Sequence, residues 1–162
     1  MTVTPAKGIP YAGTEVAPEK TQAEIQKMLY AFGAIGVQWT DIPPNMELKF
    51  VFSDEKGRPF TIRVRPAMLT VRKKSEGRRG SVQTQVDKAA SLRLLYWWLK
   101  SKLEAISYGL VTFEEEFLAN IAGKLPSGVE VTIGDLLIPK LAALDNMTDL
   151  VKALPEPKRV RE

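Results

Sequence analysis

IGVQWTDIPPNMELKFVFSDEKGRPFTIRVR, residues 35–65, holds three runs in which apolar and polar residues alternate, separated by Pro43-Pro44-Asn45 and by Asp54-Glu55-Lys56-Gly57. Strict alternation over four to eight residues is the pattern of a strand with one face buried, and proline, asparagine and glycine clusters mark the turns between strands. The spacing predicts strands over Ile35–Thr40, Met46–Ser53 and Phe60–Arg65 in an antiparallel meander. Ile35, Val37 and Trp39, then Met46, Leu48, Phe50 and Phe52, then Phe60, Ile62 and Val64 fall on one face, which is the expected core. The other face carries Gln38, Thr40, Glu47, Lys49, Thr61, Arg63 and Arg65.

Helices are expected on both sides of this meander. Before it, Thr21 and Glu24 stand at capping-box spacing, Ile25, Met28, Leu29 and Phe32 form an apolar stripe, and Gly33 supplies a stop. After it, a long helix starts at Ser81 or Thr84 and runs to about Tyr108, with Gly109 as its end. Its middle, Leu92 to Leu99, is apolar nearly all round and must be covered on more than one side. Within it Trp97 and Trp98 read as core or interface residues, because aromatic pairs in an apolar helix bury far more often than they stack on bases. Thr112 with Glu115 and Thr132 with Asp135 repeat the capping spacing and open two shorter helices, one holding Phe113, Phe117, Leu118 and Ile121, the other reaching Leu144 with Pro139 inside it. Glu114, Glu115 and Glu116 crowd the first turn of the former, where carboxylates complement the free amides and the macrodipole. The expected fold is therefore α+β: a three-stranded antiparallel sheet preceded by one helix and followed by a long helix and two shorter C-terminal helices.

Composition bounds what the chain can do. Its 162 residues suit one compact domain. The expected division is a flexible arm over 1–18, rich in proline and glycine, the domain over 19–150, and a charged flexible tail over 151–162. There is no cysteine and no histidine, which removes disulfides, thiolate catalysis, imidazole relays and Cys- or His-ligated metals. No cofactor fingerprint is present, since Gly77 and Gly80 fit neither a Walker loop nor a dinucleotide motif. The longest apolar run, Leu94 to Leu99, is too short to span a bilayer and the N-terminus lacks a signal-peptide pattern, so a cytoplasmic protein without a membrane partner is expected.

Charge is the one functional signal. Between Arg58 and Arg79 eight basic residues face a single acid, Glu76, a local charge of +7 in a protein of net charge +4, so the rest of the chain sums to −3. Concentrated positive charge attracts polyanions through counterion release. Lys49, Arg63 and Arg65 on the polar sheet face and Arg72, Lys73, Lys74, Arg78 and Arg79 in the following loop are the expected phosphate contacts. An ordinary solvated sheet face with cross-strand ion pairs is the structural alternative.

Three stretches, Glu19 to Ile25, Lys100 to Ile106 continuing through Thr112 to Leu118, and Thr132 to Asp135, resemble small uncharacterised proteins of bacteriophages, prophages and mobile elements. The resemblance spans about Glu19 to Pro139 and implies a phage setting without implying an activity, a cofactor or catalytic residues. Two other folds share the order helix, three strands, helix. Double-stranded RNA-binding domains do so, yet their loop motif has no counterpart in this chain. Restriction-endonuclease-like cores use an acid with an acid-x-lysine pair to hold magnesium, which Asp41, Glu47 and Lys49 imitate. The expectation is a nonenzymatic nucleic-acid-binding accessory protein. The alternative is a protein-interaction module, an inhibitor of a host factor or a homo-oligomer assembled through Trp97 and Trp98, and the third reading is a magnesium-dependent nuclease.

Overall fold

The computed structural model describes residues 11–54, 56–74 and 82–143. The proposed tail over 151–162, and all but residues 11–18 of the proposed arm, lie outside them. So do Arg78 and Arg79.

The first helix, α1 (Pro18–Phe32), begins earlier than the capping spacing suggests. Pro18 occupies the first turn, where its missing N–H costs nothing, and Thr21 therefore sits one turn inside the helix, fully buried, instead of capping it. Gly33 ends α1 at φ 110°, its amide returning to the Tyr30 carbonyl at 3.1 Å. The meander follows as β1 (Gly36–Ile42), β2 (Asn45–Ser53) and β3 (Pro59–Val64). Register places Val37 opposite Phe50, Trp39 opposite Leu48 and Phe50 opposite Ile62, so the alternating residues do share one face. Ile35 precedes the strand and is exposed, a departure from the expected core.

Two elements differ from expectation. The sheet has five strands, in the order β1-β2-β3-β6-β7, because β6 (Ile121–Lys124) pairs with β3 and β7 (Glu130–Thr132) pairs with β6. Ile121 thus starts a strand and does not extend the preceding helix, which stops at Phe117 as α3 (Phe113–Phe117) and relaxes into a 3-10 turn over Leu118–Asn120. The second difference lies in the basic segment. It is a separate two-stranded antiparallel ribbon, β4 (Thr70–Lys74) with β5 (Val82–Val86), where a loop and the first turns of the long helix were expected. The long helix, α2 (Lys88–Ser107), accordingly starts at Asp87, whose side chain accepts the Ala90 amide at 2.9 Å. The last helix, α4 (Ile133–Ala142), keeps the predicted capping box of Thr132 and Asp135 and carries Pro139 within it.

The core lies between one sheet face and three helices. Ile25 and Leu29 of α1, Leu92, Leu95, Leu99 and Leu103 of α2 and Phe117 of α3 meet Leu48, Phe50, Phe52, Ile62 and Val64. All six phenylalanines of the chain belong to one aromatic network, with Phe52 in contact with Phe32, Phe50, Phe60 and Phe113, and Phe117 against Phe50 and Phe113. Such pairs stabilise by about 0.5–1.5 kcal/mol each beyond their buried area.

Candidate nucleic-acid interface

The polar sheet face brings Lys49 and Arg63 directly opposite each other across β2 and β3. Two like charges in that position repel unless acids separate them. Three acids do so. Lys49 Nζ lies 2.6 Å from Glu130 and 3.5 Å from Glu47, Arg65 Nε donates to Glu47 at 3.1 Å, and Arg63 donates from Nη1 to the Glu130 carbonyl at 3.0 Å and from Nη2 to the Asp135 carboxylate. Three cations thus face three carboxylates, and the cluster has no net charge.

The titration of these groups follows from that arrangement. The hydrogen bond from Lys49 holds the Glu130 carboxyl below the usual range, and reciprocally Glu130 raises the Lys49 ammonium. Asp135 is lowered first by the Thr132 amide at the start of α4 and, in smaller part, by the charges of Arg63 and Arg65.

Arg63 is the clearest correction to the sequence reading. Its side chain is 4% exposed, closed over by Glu130 of β7 and Asp135 of α4, so no phosphate reaches it. Lys49 is three-quarters covered and ion-paired twice. Arg65 is different: its side chain is 61% exposed, and its two terminal nitrogens have no partner among the described residues. The open basic sheet face therefore reduces to Arg65.

The ribbon has another character. Arg72 stands opposite Thr84, Lys73 opposite Gln83 and Lys74 opposite Val82, so no cation of β4 has an acid across the ladder. The ribbon hydrogen-bonds as a sheet of its own and is tied to the start of α2 at its foot. There the Leu69 carbonyl accepts the Asp87 amide at 2.8 Å, and the Leu69 amide donates to Ser91 Oγ at 2.9 Å.

The tryptophans part company, as adjacent residues on a helix point about 100° apart. Trp98 turns inward, its ring 6.3 Å from Phe117 and under the Lys102 ammonium at 4.7 Å. Trp97 turns outward and is 41% exposed, flanked by Arg93 at 5.7 Å and Lys100 at 5.1 Å. Glu115 closes the capping box of α3 and Glu116 pairs with Lys102.

The nuclease constellation does not assemble. Thr40 is the register partner of Glu47, and Asp41 that of buried Met46, so Asp41 and Glu47 project from opposite faces of the sheet. Asp41 pairs with Lys88 and Glu47 with Arg65, and a single metal cannot be shared between them. Among the described residues no group of three acids is placed to hold a cation, and no helix is long and apolar enough to cross a membrane.

Sequence reasoning missed Glu130 and Asp135 as partners of Arg63. Asp135 carried a local capping signal, but nothing in the chain marks a contact across 67 or 72 residues. It also missed that Arg65 borders three surface cavities, the most apolar of which, about 330 Å³, lies between the β3 end, α2 and the 3-10 turn. In comparisons of the chain with protein-family models, curated proteins and solved structures, nothing matches.

Proposed function

We propose that this protein binds nucleic acid without catalysing a reaction, using the β4–β5 ribbon as its phosphate-contacting element with Arg65 beside the ribbon's foot. The observation that carries this reading is the contrast between the ion-paired sheet face and the strand register of the ribbon. The sheet-face cations are matched one for one by carboxylates, while Arg72, Lys73 and Lys74 stand opposite uncharged residues on a ribbon of their own. Arg72 and Lys74, two residues apart, fall on one face of β4, where both can follow a single phosphate backbone. Arg78 and Arg79 follow in the same segment and add to its charge. The resemblance to phage and mobile-element proteins suits an accessory role of this kind.

Binding of this type is largely indifferent to sequence and falls steeply with salt. The test is a mobility shift on single- and double-stranded DNA and RNA at about 50 and 200 mM salt, with the wild type beside Lys73/Lys74/Arg78/Arg79→Ala. Loss of binding in a folded variant supports the ribbon; undiminished binding rejects it.

A second reading has its own observation. Leu136, Leu137 and Ile138 on α4 are each more than 40% exposed, as is Val129 on the β6–β7 turn, which suits a protein partner. Assembly through that surface would show little salt dependence, and light scattering on the same samples separates it from the first reading.

A further inference from the structure

The cavity between β3, α2 and the 3-10 turn has a composition suited to one flat, partly polar group. Its apolar lining is buried Val64 and Leu95 with half-buried Leu94 and Trp98. Exposed Arg65 and half-buried Asn120 stand at its rim, and Ala67, also exposed, is part of the connection from β3 into the ribbon. At about 330 Å³ it is at the small end of ligand sites, too small for a chain and ample for one ring system.

The polar groups at the rim are specific. Asn120 gives its Nδ2 hydrogen to the Arg63 carbonyl at 3.1 Å, which sets the amide orientation and turns Oδ1 into an acceptor with no partner among the described residues. Arg65 spends Nε on Glu47 and keeps both terminal nitrogens for an anion. Ser91 takes no part in ligand binding, because its hydroxyl is occupied by Leu69 and Asp87. An apolar slot with one hydrogen-bond acceptor and one guanidinium fits a nucleobase with its own phosphate: the ring against Trp98, Leu94 and Leu95, an exocyclic amine on Asn120 Oδ1, the phosphate on Arg65.

The cavity adjoins the ribbon's anchorage, where Leu69 bonds to Ser91. A strand held along β4 and β5 as far as the ribbon's foot therefore comes beside it. Resting on the ribbon reading above, we infer that this cavity receives a single unpaired nucleobase from the bound strand, so that the protein selects single-stranded or locally opened nucleic acid over intact duplex. In a duplex the base edge and face are occupied by pairing and stacking, and extrusion must first be overcome.

The test compares equilibrium binding of a single-stranded DNA oligonucleotide and of its blunt duplex to the wild type, Ala67→Phe and Arg65→Gln, each checked by circular dichroism. Phenylalanine at exposed position 67 blocks the mouth without entering the core. The wild type is expected to bind the single strand at least tenfold more tightly than the duplex. Ala67→Phe is expected to lose about that tenfold for the single strand alone, and Arg65→Gln to lose a smaller factor, again greater for the single strand. Should Ala67→Phe not fold, the Arg65→Gln selectivity decides. Equal wild-type affinity for both forms, or unchanged selectivity in the variants while ribbon substitutions abolish binding, overturns the cavity inference and leaves the ribbon reading standing. Absence of binding to either form removes both.

Discussion

The buried hydroxyl of Ser91 accepts the Leu69 amide at 2.9 Å and donates to the Asp87 carbonyl at 2.6 Å, so a single side chain in the first turn of α2 bonds to the residues that flank both strands at the ribbon's foot. Ser91→Ala leaves the half-buried Leu69 N–H without its acceptor, at a cost of about 1–3 kcal/mol. Urea denaturation measures the loss. Amide exchange at Val71 and Gln85, at the foot of the ribbon, should accelerate more than exchange in β2.

Arg63 holds β7 and α4 against the meander. Arg63→Ala leaves Glu130 with Lys49 and Asp135 with the charge of Arg65, and because both carboxylates are partly solvated it should destabilise by about 1–3 kcal/mol. Nucleic-acid affinity per folded molecule should not change. A variant that folds normally but binds weakly would show that Arg63 reaches the ligand after all.

Ribbon charge is expected to govern the ionic-strength response. Replacing Arg72 and Lys74, which share one face of β4, by Gln should lower the slope of log affinity against log salt by about two, one per lost phosphate contact. Titrations across a salt series provide the measurement, and a slope equal to that of the wild type would exclude those residues from the interface.

The cluster also shapes the response to pH. Glu130 and Asp135 titrate lower in the folded protein than their ordinary values of 4.5 and 3.8, so their stabilisation is complete above those values and is lost as pH falls through the folded ones. Lys49 titrates above its ordinary 10.5, and its share is present below that value and lost as pH rises through the higher one. Urea midpoints should therefore fall at both extremes. Glu130→Gln should flatten both limbs, leaving a residual acid limb from Asp135, Asp54 and Glu115, each lowered first by a local amide bond.

Gly134 packs against the 3-10 turn so closely that an added Cβ would lie 2.7 Å from the Ala119 carbonyl oxygen. That atom is backbone and cannot rotate away. Gly134→Ala should cost about 1–3 kcal/mol by overpacking, whereas Gly123→Ala, with open space around it, should cost much less. Thermal melts of the two variants make the comparison.

Local signals were readable, and distant ones were not. Period-two alternation over residues 35–65 identified the buried face because each strand meets the core on one side only, and the Thr112 and Thr132 boxes marked helix starts because both partners are three residues apart. The Thr21–Glu24 spacing misled, since Pro18 starts the helix a turn earlier and Glu24 instead bonds Arg93 at 2.6 Å. Strands β6 and β7 are four and three residues long, one with a central glycine, too short for a period to register. The ribbon was hidden by its own charge: five cations between residues 70 and 79 read as a loop, and pairing with Val82–Val86 is a property of the partner strand. Which cations are open and which are neutralised depends on acids some seventy residues downstream.

The phenylalanine network draws on α1, β2, β3 and α3, so its last member, Phe117, is translated after nearly three-quarters of the chain. A nascent polypeptide still short of that residue has an unfilled place between Phe50 and Trp98. Synthesis of the meander and the long helix therefore cannot by itself complete the interior, and chains released early from the ribosome should be substrates for chaperones or proteases.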